Sequence, residues 1–140
     1  MVGATGAQAI YYIPRSDLSA VGIASRAVDA GSARGYGTLQ AMAATDMLME
    51  EAAKLLKVDP IEFRLKNIIK SGMKNTQGAI PGGAIRADEV LTRCAAHPMW
   101  TDRAKRKADF EAKNSGKLFG TGISCVQKTL GQVRNPPLLA

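Results

Sequence analysis

The sequence is short of the residues from which self-contained sites are usually built. It holds one histidine, His97, and two cysteines, Cys94 and Cys125, in 140 residues. It has no CxxC pair and no HExxH, so its spacing offers no self-sufficient zinc site. Cys94 falls on the apolar side of an expected helix and Cys125 inside an expected apolar strand, so both read as small buried hydrophobes. Aromatic residues are only 5% of the chain, and none interleaves with its one dense basic run, Arg103, Lys105, Arg106 and Lys107. Platforms that stack bases need such rings. The net charge of +7 therefore does not point to nucleic acid, and a solvated helix face explains the run better. No apolar stretch approaches the length of a membrane span. The opening "MVGATGAQAIYYIP" lacks the basic n-region and long apolar h-region of a signal peptide. The compartment, cytoplasmic or periplasmic, stays open.

A hydrophobic fraction of 46% with 22% charged residues is ordinary for a globular chain of this length. The pattern predicts an α+β arrangement in which short strands flank a helical segment. Residues 1–30 are expected to hold strands, "QAIYYIP" ended by Pro14 and a less regular apolar run over 18–28. Residues 31–37 form a glycine-rich turn, 38–116 a helical segment, 117–128 a strand and 129–140 an irregular tail. Within the helical segment, Leu39, Met42, Met49 and Leu56 recur at helical spacing. Ala41, Ala44, Leu48 and Leu55 cover the adjacent face, which predicts a helix buried in a larger core. Asp46 lies inside that stripe, so a salt bridge or hydrogen bond is expected to satisfy it, with a catalytic acid or base as the lesser alternative because no second titratable group sits beside it in sequence. "DPIEFRLKNIIKSG" carries its own punctuation. Asp59 is placed as N-cap, Pro60 as first helical residue and Glu62 as the other half of a capping box. Ile61, Leu65, Ile68 and Ile69 are its buried stripe, with Gly72 ending the helix. A short helix over 87–96 stops at His97-Pro98, and Thr101 is expected to cap a basic helix reaching Asn114. "LFGTGISCVQ" alternates small and apolar residues like a central strand. These strands do not close a sheet among themselves, so the chain reads as a piece of something larger.

The stretch "GSARGYGTLQ", Gly31 to Gln40, is the strongest candidate for chemistry. Glycines let a ligand approach the backbone closely. Arg34 offers a planar fork of donors and Tyr36 a ring with a hydroxyl at its edge. The helix that follows presents free N–H groups that favour anions. An ordinary strand-to-helix turn with a surface arginine fits the same spacing.

The segment "ARGYGTLQAMAATDMLMEEAAKLLKVDPIEFRLKNIIKSG" resembles the molybdenum-binding subunit of the xanthine dehydrogenase and aldehyde oxidase family. Arg34, Gly35, Tyr36, Gly37 and Gln40 match that family's R-G-[FY]-G-x-x-Q turn. Asp59, Pro60, Glu62, Phe63, Arg64 and Asn67 match its D-P-x-E-[FL]-R-x-x-N helix. "LFGTGISC" is similar to the strand that follows the family's helical insert. The resemblance covers roughly residues 10–128 and implies an incomplete part of a molybdopterin-binding domain. It implies that Arg34 lies beside the molybdenum without ligating it and that Arg34, Gly35 and Gln40 contact the cofactor, Gln40 equally fitting a brace for the turn. It implies that Tyr36 packs on a small-molecule substrate. The implied reaction is hydroxylation of aldehydes or N-heteroaromatic compounds with water as oxygen donor. The family's base glutamate has no counterpart in these residues, so the chain is expected to be inactive alone. Iron–sulfur clusters on a partner domain or subunit, an FAD or cytochrome subunit and the remainder of the molybdenum subunit are the implied partners. The tail from Leu130 departs from the family's continuation. A freestanding basic module that binds acidic partners or nucleic acid through the 103–107 face is the competing expectation.

Overall fold

The computed structural model of the chain describes residue 4, residues 6–24, residue 26 and residues 35–126. Arg34 and the start of the glycine-rich turn lie outside the described residues, as does the tail from 127. The described elements are five helices: α1 (Thr38–Leu56), α2 (Pro60–Asn67), α3 (Ala87–Ala95), α4 (Pro98–Thr101) and α5 (Arg103–Lys113).

α1 is built from alanine, leucine and methionine, good helix formers throughout. It ends at Lys57, which takes a left-handed conformation at φ 55° so that its N–H reaches the carbonyls of Ala53 and Lys54. Val58 N–H then also donates to Ala53, closing the turn into α2. Asp59 caps α2 as the sequence predicts, its carboxylate accepting from the N–H groups of Ile61 at 2.9 Å and Glu62 at 3.3 Å. Glu62 does not return the bond. Its carboxylate pairs with Lys66 one turn on, at 2.7 Å. α2 stops at Asn67, short of Gly72, because Ile68 is already extended at ψ 143°. Gly72 instead takes φ 85° in the turn that follows.

The expected strands are corrected by the structure. Residues 6–10 coil through successive turns, with Ala9 at φ 52°, and cannot lie flat in a ladder. What survives is an isolated antiparallel bridge between Tyr11 and Ile68. It is made by Tyr12 N–H to Asn67 and Ile69 N–H to Ile10, both at 2.8 Å. Residues 18–24 and 117–126 carry no described ladder partner either. A run with strand composition becomes a strand only when a neighbouring backbone pairs with it.

The core gathers Ile10, Tyr11, Ile61, Ile68, Leu91 and Trp100. α1 contributes less than its composition predicts. Only Asp46 and Ala53 are buried on it, whereas Leu39, Met47, Leu48, Leu55 and Leu56 are exposed. Neighbours cover this helix on one side rather than all round. The loop after α2 is pinned by Gln8, which donates to the Tyr11 carbonyl and accepts from Thr76 N–H, each at 2.6 Å. Thr101 does not cap the basic helix: it ends α4, and α5 starts from Asp102 with no side-chain cap, whereas the His97 Nδ1 accepts from Met99 N–H at the start of α4. α5 buries nothing.

Candidate functional site

Two features carry chemistry: the turn that opens α1, and a charged cluster beneath that helix. At the turn, Gly35, Tyr36 and Gly37 take positive φ in succession, at 95°, 55° and 91°. Glycine adopts such angles without strain, but Tyr36 does so at a cost of about 1 kcal/mol or more. The arrangement is held by Thr38, whose N–H donates to the Gly35 carbonyl at 3.0 Å and whose hydroxyl donates to the same oxygen. A Cβ built on Gly35 would meet that hydroxyl oxygen at 3.2 Å. The N-terminal segment braces the other side. A Cβ at Gly6 would strike Thr38 at 2.9 Å, and the Thr45 hydroxyl donates to the Ala7 carbonyl.

The consequence is a helix start with no side-chain cap and no acidic residue in its first turn. Thr38 and Ala41 N–H bond within the turn, but among the described residues the N–H groups of Leu39 and Gln40 have no partner, so this positive dipole end suits an anionic or oxygen-rich group. Tyr36 stands 66% exposed, and Gln40 is exposed as well. Gly35, Tyr36 and Gln40 thus share one turn, and none lines either of two surface clefts found deeper in the molecule. Arg34 immediately precedes the turn in sequence and lies outside the described residues.

The second feature answers the expectation of a partner for Asp46. Arg64, fully buried, meets the Asp46 carboxylate through Nε and Nη2, each at 3.2 Å. Its Nη1 donates to Glu50 at 2.9 Å and to the Pro60 carbonyl at 3.1 Å. Its Nη2 also reaches the carbonyls of Asp46 and Ile123, both at 3.3 Å. The Tyr11 hydroxyl donates to Asp46 at 2.5 Å. One guanidinium therefore ties together α1, α2 and the residues near 123, and through Asp46 it reaches Tyr11 of the N-terminal segment. Its two-pronged bond to a carboxylate is the strong form of this interaction. Burial works against the charge on Arg64, but hydrogen bonds to Asp46 and Glu50 outweigh it and hold its pKa above the usual value. Burial first, then the bond to Asp46, raises the Tyr11 hydroxyl well above its ordinary range. Burial and the nearby Asp46 charge push the Cys125 thiol up to about 11. These groups keep fixed protonation states near neutrality, which marks the cluster as a brace rather than a proton-transfer device.

Sequence reasoning placed Asp46 correctly and missed that its partner was Arg64. The signal was present. Arg64 stands three residues after Ile61, on the face that also carries Leu65 and Ile68, where a cation is out of place unless paired.

The basic run is less free than its composition implies. Arg103 pairs with Asp59 at 2.7 Å and lies over the Trp100 ring at 4.1 Å. Lys105 pairs with Asp109 at 2.6 Å, and Lys107 stands 3.9 Å from Glu111. Most of this face is neutralised locally, which argues against the basic module. Cys94 and Cys125 are half-buried free thiols packed against the core, as small hydrophobes would be. Among the described residues no helix is long and apolar enough to cross a membrane.

Comparison with known proteins adds a second line of argument. Residues 1–68 match the family described as the molybdopterin cofactor-binding domain. The chain is 28% identical over 126 residues to the nicotine 6-hydroxylase large subunit of Paenarthrobacter nicotinovorans, covering 88% of this chain and 15% of that protein. It is 29% identical over 100 residues to the xanthine dehydrogenase molybdenum-binding subunit of Escherichia coli O157:H7, covering 71% of this chain and 13% of that protein. Over 52 residues it is 46% identical to the aldehyde oxidoreductase of Megalodesulfovibrio gigas, covering 36% of this chain and 6% of that protein. The chain therefore spans a small part of the curated relatives it matches. No solved structure matches it.

Proposed function

We propose a function from one premise: the chain belongs to the xanthine dehydrogenase and aldehyde oxidase family, as a segment of its molybdenum-binding subunit. The segment supplies one wall of the molybdopterin site in an enzyme that hydroxylates aldehydes or N-heteroaromatic compounds. The observation that carries this reading is the run of positive φ at Gly35, Tyr36 and Gly37 immediately before a helix start without a side-chain cap. It falls where the sequence carries the R-G-Y-G-x-x-Q turn. The local chemistry fits an oxygen-rich cofactor. The glycines keep the backbone bare, no side chain caps the helix start, and its first turn carries no carboxylate.

In this reading the Arg34 guanidinium and the N–H groups of the turn donate to acceptor oxygens of the cofactor, and Gln40 bonds the pterin or braces the turn. Tyr36 offers its exposed ring to a flat substrate, where an offset stack contributes about 1 kcal/mol beyond area burial. Its strained backbone is a means of aiming that ring. When bound, the molybdenum cofactor accepts the two electrons released as a C–H bond beside nitrogen or oxygen becomes C–OH with the oxygen of water, two protons leaving. The base comes from a glutamate outside these residues. Iron–sulfur clusters on a partner domain or subunit, and beyond them an FAD or cytochrome subunit, would take those electrons onward. The Asp46–Arg64 brace, about two helical turns from the start of α1, fixes that helix so that its N-terminus holds position.

The test is molybdenum and pterin analysis of the full subunit carrying this segment, with a turnover screen of aldehydes and N-heteroaromatics. The expected result is bound cofactor and turnover of at least one class. Tyr36→Ala should raise KM more than it lowers kcat, because it removes a substrate contact rather than a group acting in the transition state. A subunit purified with neither metal nor pterin would overturn the proposal.

A further inference from the structure

Residues 118–126 alternate without a break. Leu118, Gly120, Gly122, Ser124 and Val126 are exposed, while Phe119, Thr121, Ile123 and Cys125 are half-buried. A period of two is the geometry of a β-strand. Yet among the described residues the main chain from 120 to 126 receives one hydrogen bond, from Arg64 to the Ile123 carbonyl at 3.3 Å. Phe119 N–H is met by a side chain, that of Glu111. A segment with strand alternation whose main-chain donors and acceptors have almost no partners among the described residues offers them to another extended backbone. Beside this segment lies a cleft of about 380 Å³, lined by Ile85, Val90, Leu91, Cys94, Ile123 and Cys125 among others. Its far wall, residues 84–86, lies outside any helix and leads into α3. The cation at its rim, Arg86, is already bound to Glu89 at 2.6 Å and sets no free charge facing the cleft.

We propose that residues 118–126 are an edge to which a further β-strand adds, its alternate apolar side chains entering the 84–94 cleft. The occupant is an extended, uncharged segment of the same molybdenum subunit lying outside these 140 residues. This deepens the functional reading above and rests on it. The chain covers 15% of the nicotine 6-hydroxylase large subunit it resembles, so such a subunit has ample chain to supply the strand. A second copy is the poorer occupant, because each copy carries a net charge of +7 and the two would repel. Arg64 has a defined part here, since its bond to Ile123 holds the edge in register before the strand arrives. Main-chain pairing supplies affinity and the cleft supplies selectivity, as in other strand additions.

Hydrogen exchange read at residues 118–126 tests this, in the 140-residue chain alone and in the molybdenum-loaded full subunit. Fast exchange is expected in the chain alone and slowing by about 100-fold or more in the subunit. Slow exchange in the dilute chain would assign the pairing to the chain's own residues. Slowing that grows with chain concentration would assign it to a second copy. Either result overturns the proposal, as does fast exchange in a loaded subunit. Ser124→Pro, which removes a main-chain donor, should cut recovery of assembled subunit by about tenfold while Ser124→Ala does not. Equal recovery of the two variants would also overturn it. A loaded, active subunit with fast exchange at 118–126 refutes the strand alone. A subunit without cofactor refutes the functional reading, and the exchange result still decides the strand.

Discussion

Replacing Arg64 by alanine should be the most damaging single change in the described structure. Arg64 is fully buried and the Asp46 side chain is 7% exposed, so the variant leaves a carboxylate with no cation and little water. Breaking one side of such a buried pair costs about 3–5 kcal/mol. The bonds to Ile123, Pro60 and Glu50 are lost with it. Against a total stability of about 5–15 kcal/mol this removes much of the folding free energy. The expected fall in thermal midpoint is roughly 10 °C for a chain of this size. An exposed pair supplies the control. Lys66 and Glu62 lie 2.7 Å apart but are mostly exposed, and Lys66→Ala should cost no more than about 1 kcal/mol. The triple variant Tyr11→Phe, Asp46→Leu, Arg64→Met removes the charges and their buried hydroxyl partner together, and should recover most of the loss. Urea unfolding of the four proteins by circular dichroism reads all of this. If Arg64→Ala were no worse than Lys66→Ala, or the triple variant as unstable as Arg64→Ala, the account of a buried electrostatic brace would be wrong.

Further outcomes follow from other parts of the molecule. Asp59→Ala removes the cap of α2 and the partner of Arg103 together, so it should cost about 1–2 kcal/mol, and Glu62→Ala, which leaves the cap bonds intact, less than half of that in the same urea assay. Burial raises Cys125 from 9.0 to about 11 and raises Tyr11 in the same direction, so both are held neutral in the folded state. Their contribution is complete below the unfolded values and is lost as pH rises through the folded ones. The urea midpoint should therefore decline from about pH 9 upward, and Cys125→Ala should flatten the part between pH 9 and about 11.

Local signals in the sequence were legible where the residues act on their own backbone. Asp59 and Pro60 start a helix wherever they stand together before an apolar stripe, and the structure places them there. The alternation over 118–126 was likewise readable, since a side chain's facing in extended backbone is set locally. What sequence could not supply was partners. Whether an extended run becomes a strand depends on a second backbone, and residues 18–24 and 118–126 have none among the described residues. The apolar circumference of α1 predicts burial on all sides, but burial depends on neighbours, and Leu48 and Leu55 are exposed. The same reasoning explains Asp46: its need for a partner was local, and the identity of Arg64 was tertiary. At the glycine-rich turn, the motif gave the residues, and the structure added the positive φ of Tyr36 and the uncapped start of α1.

The most direct measurement compares turnover of the full, molybdenum-loaded subunit carrying Arg34→Ala with that carrying Arg106→Ala, at equal cofactor content. If Arg34 acts as proposed, donating beside the reacting centre, Arg34→Ala should lower kcat by about 100-fold, whereas Arg106→Ala, on the exposed face of α5, should match the parent. Equal turnover of the two variants would contradict the placement of this turn at the molybdenum site.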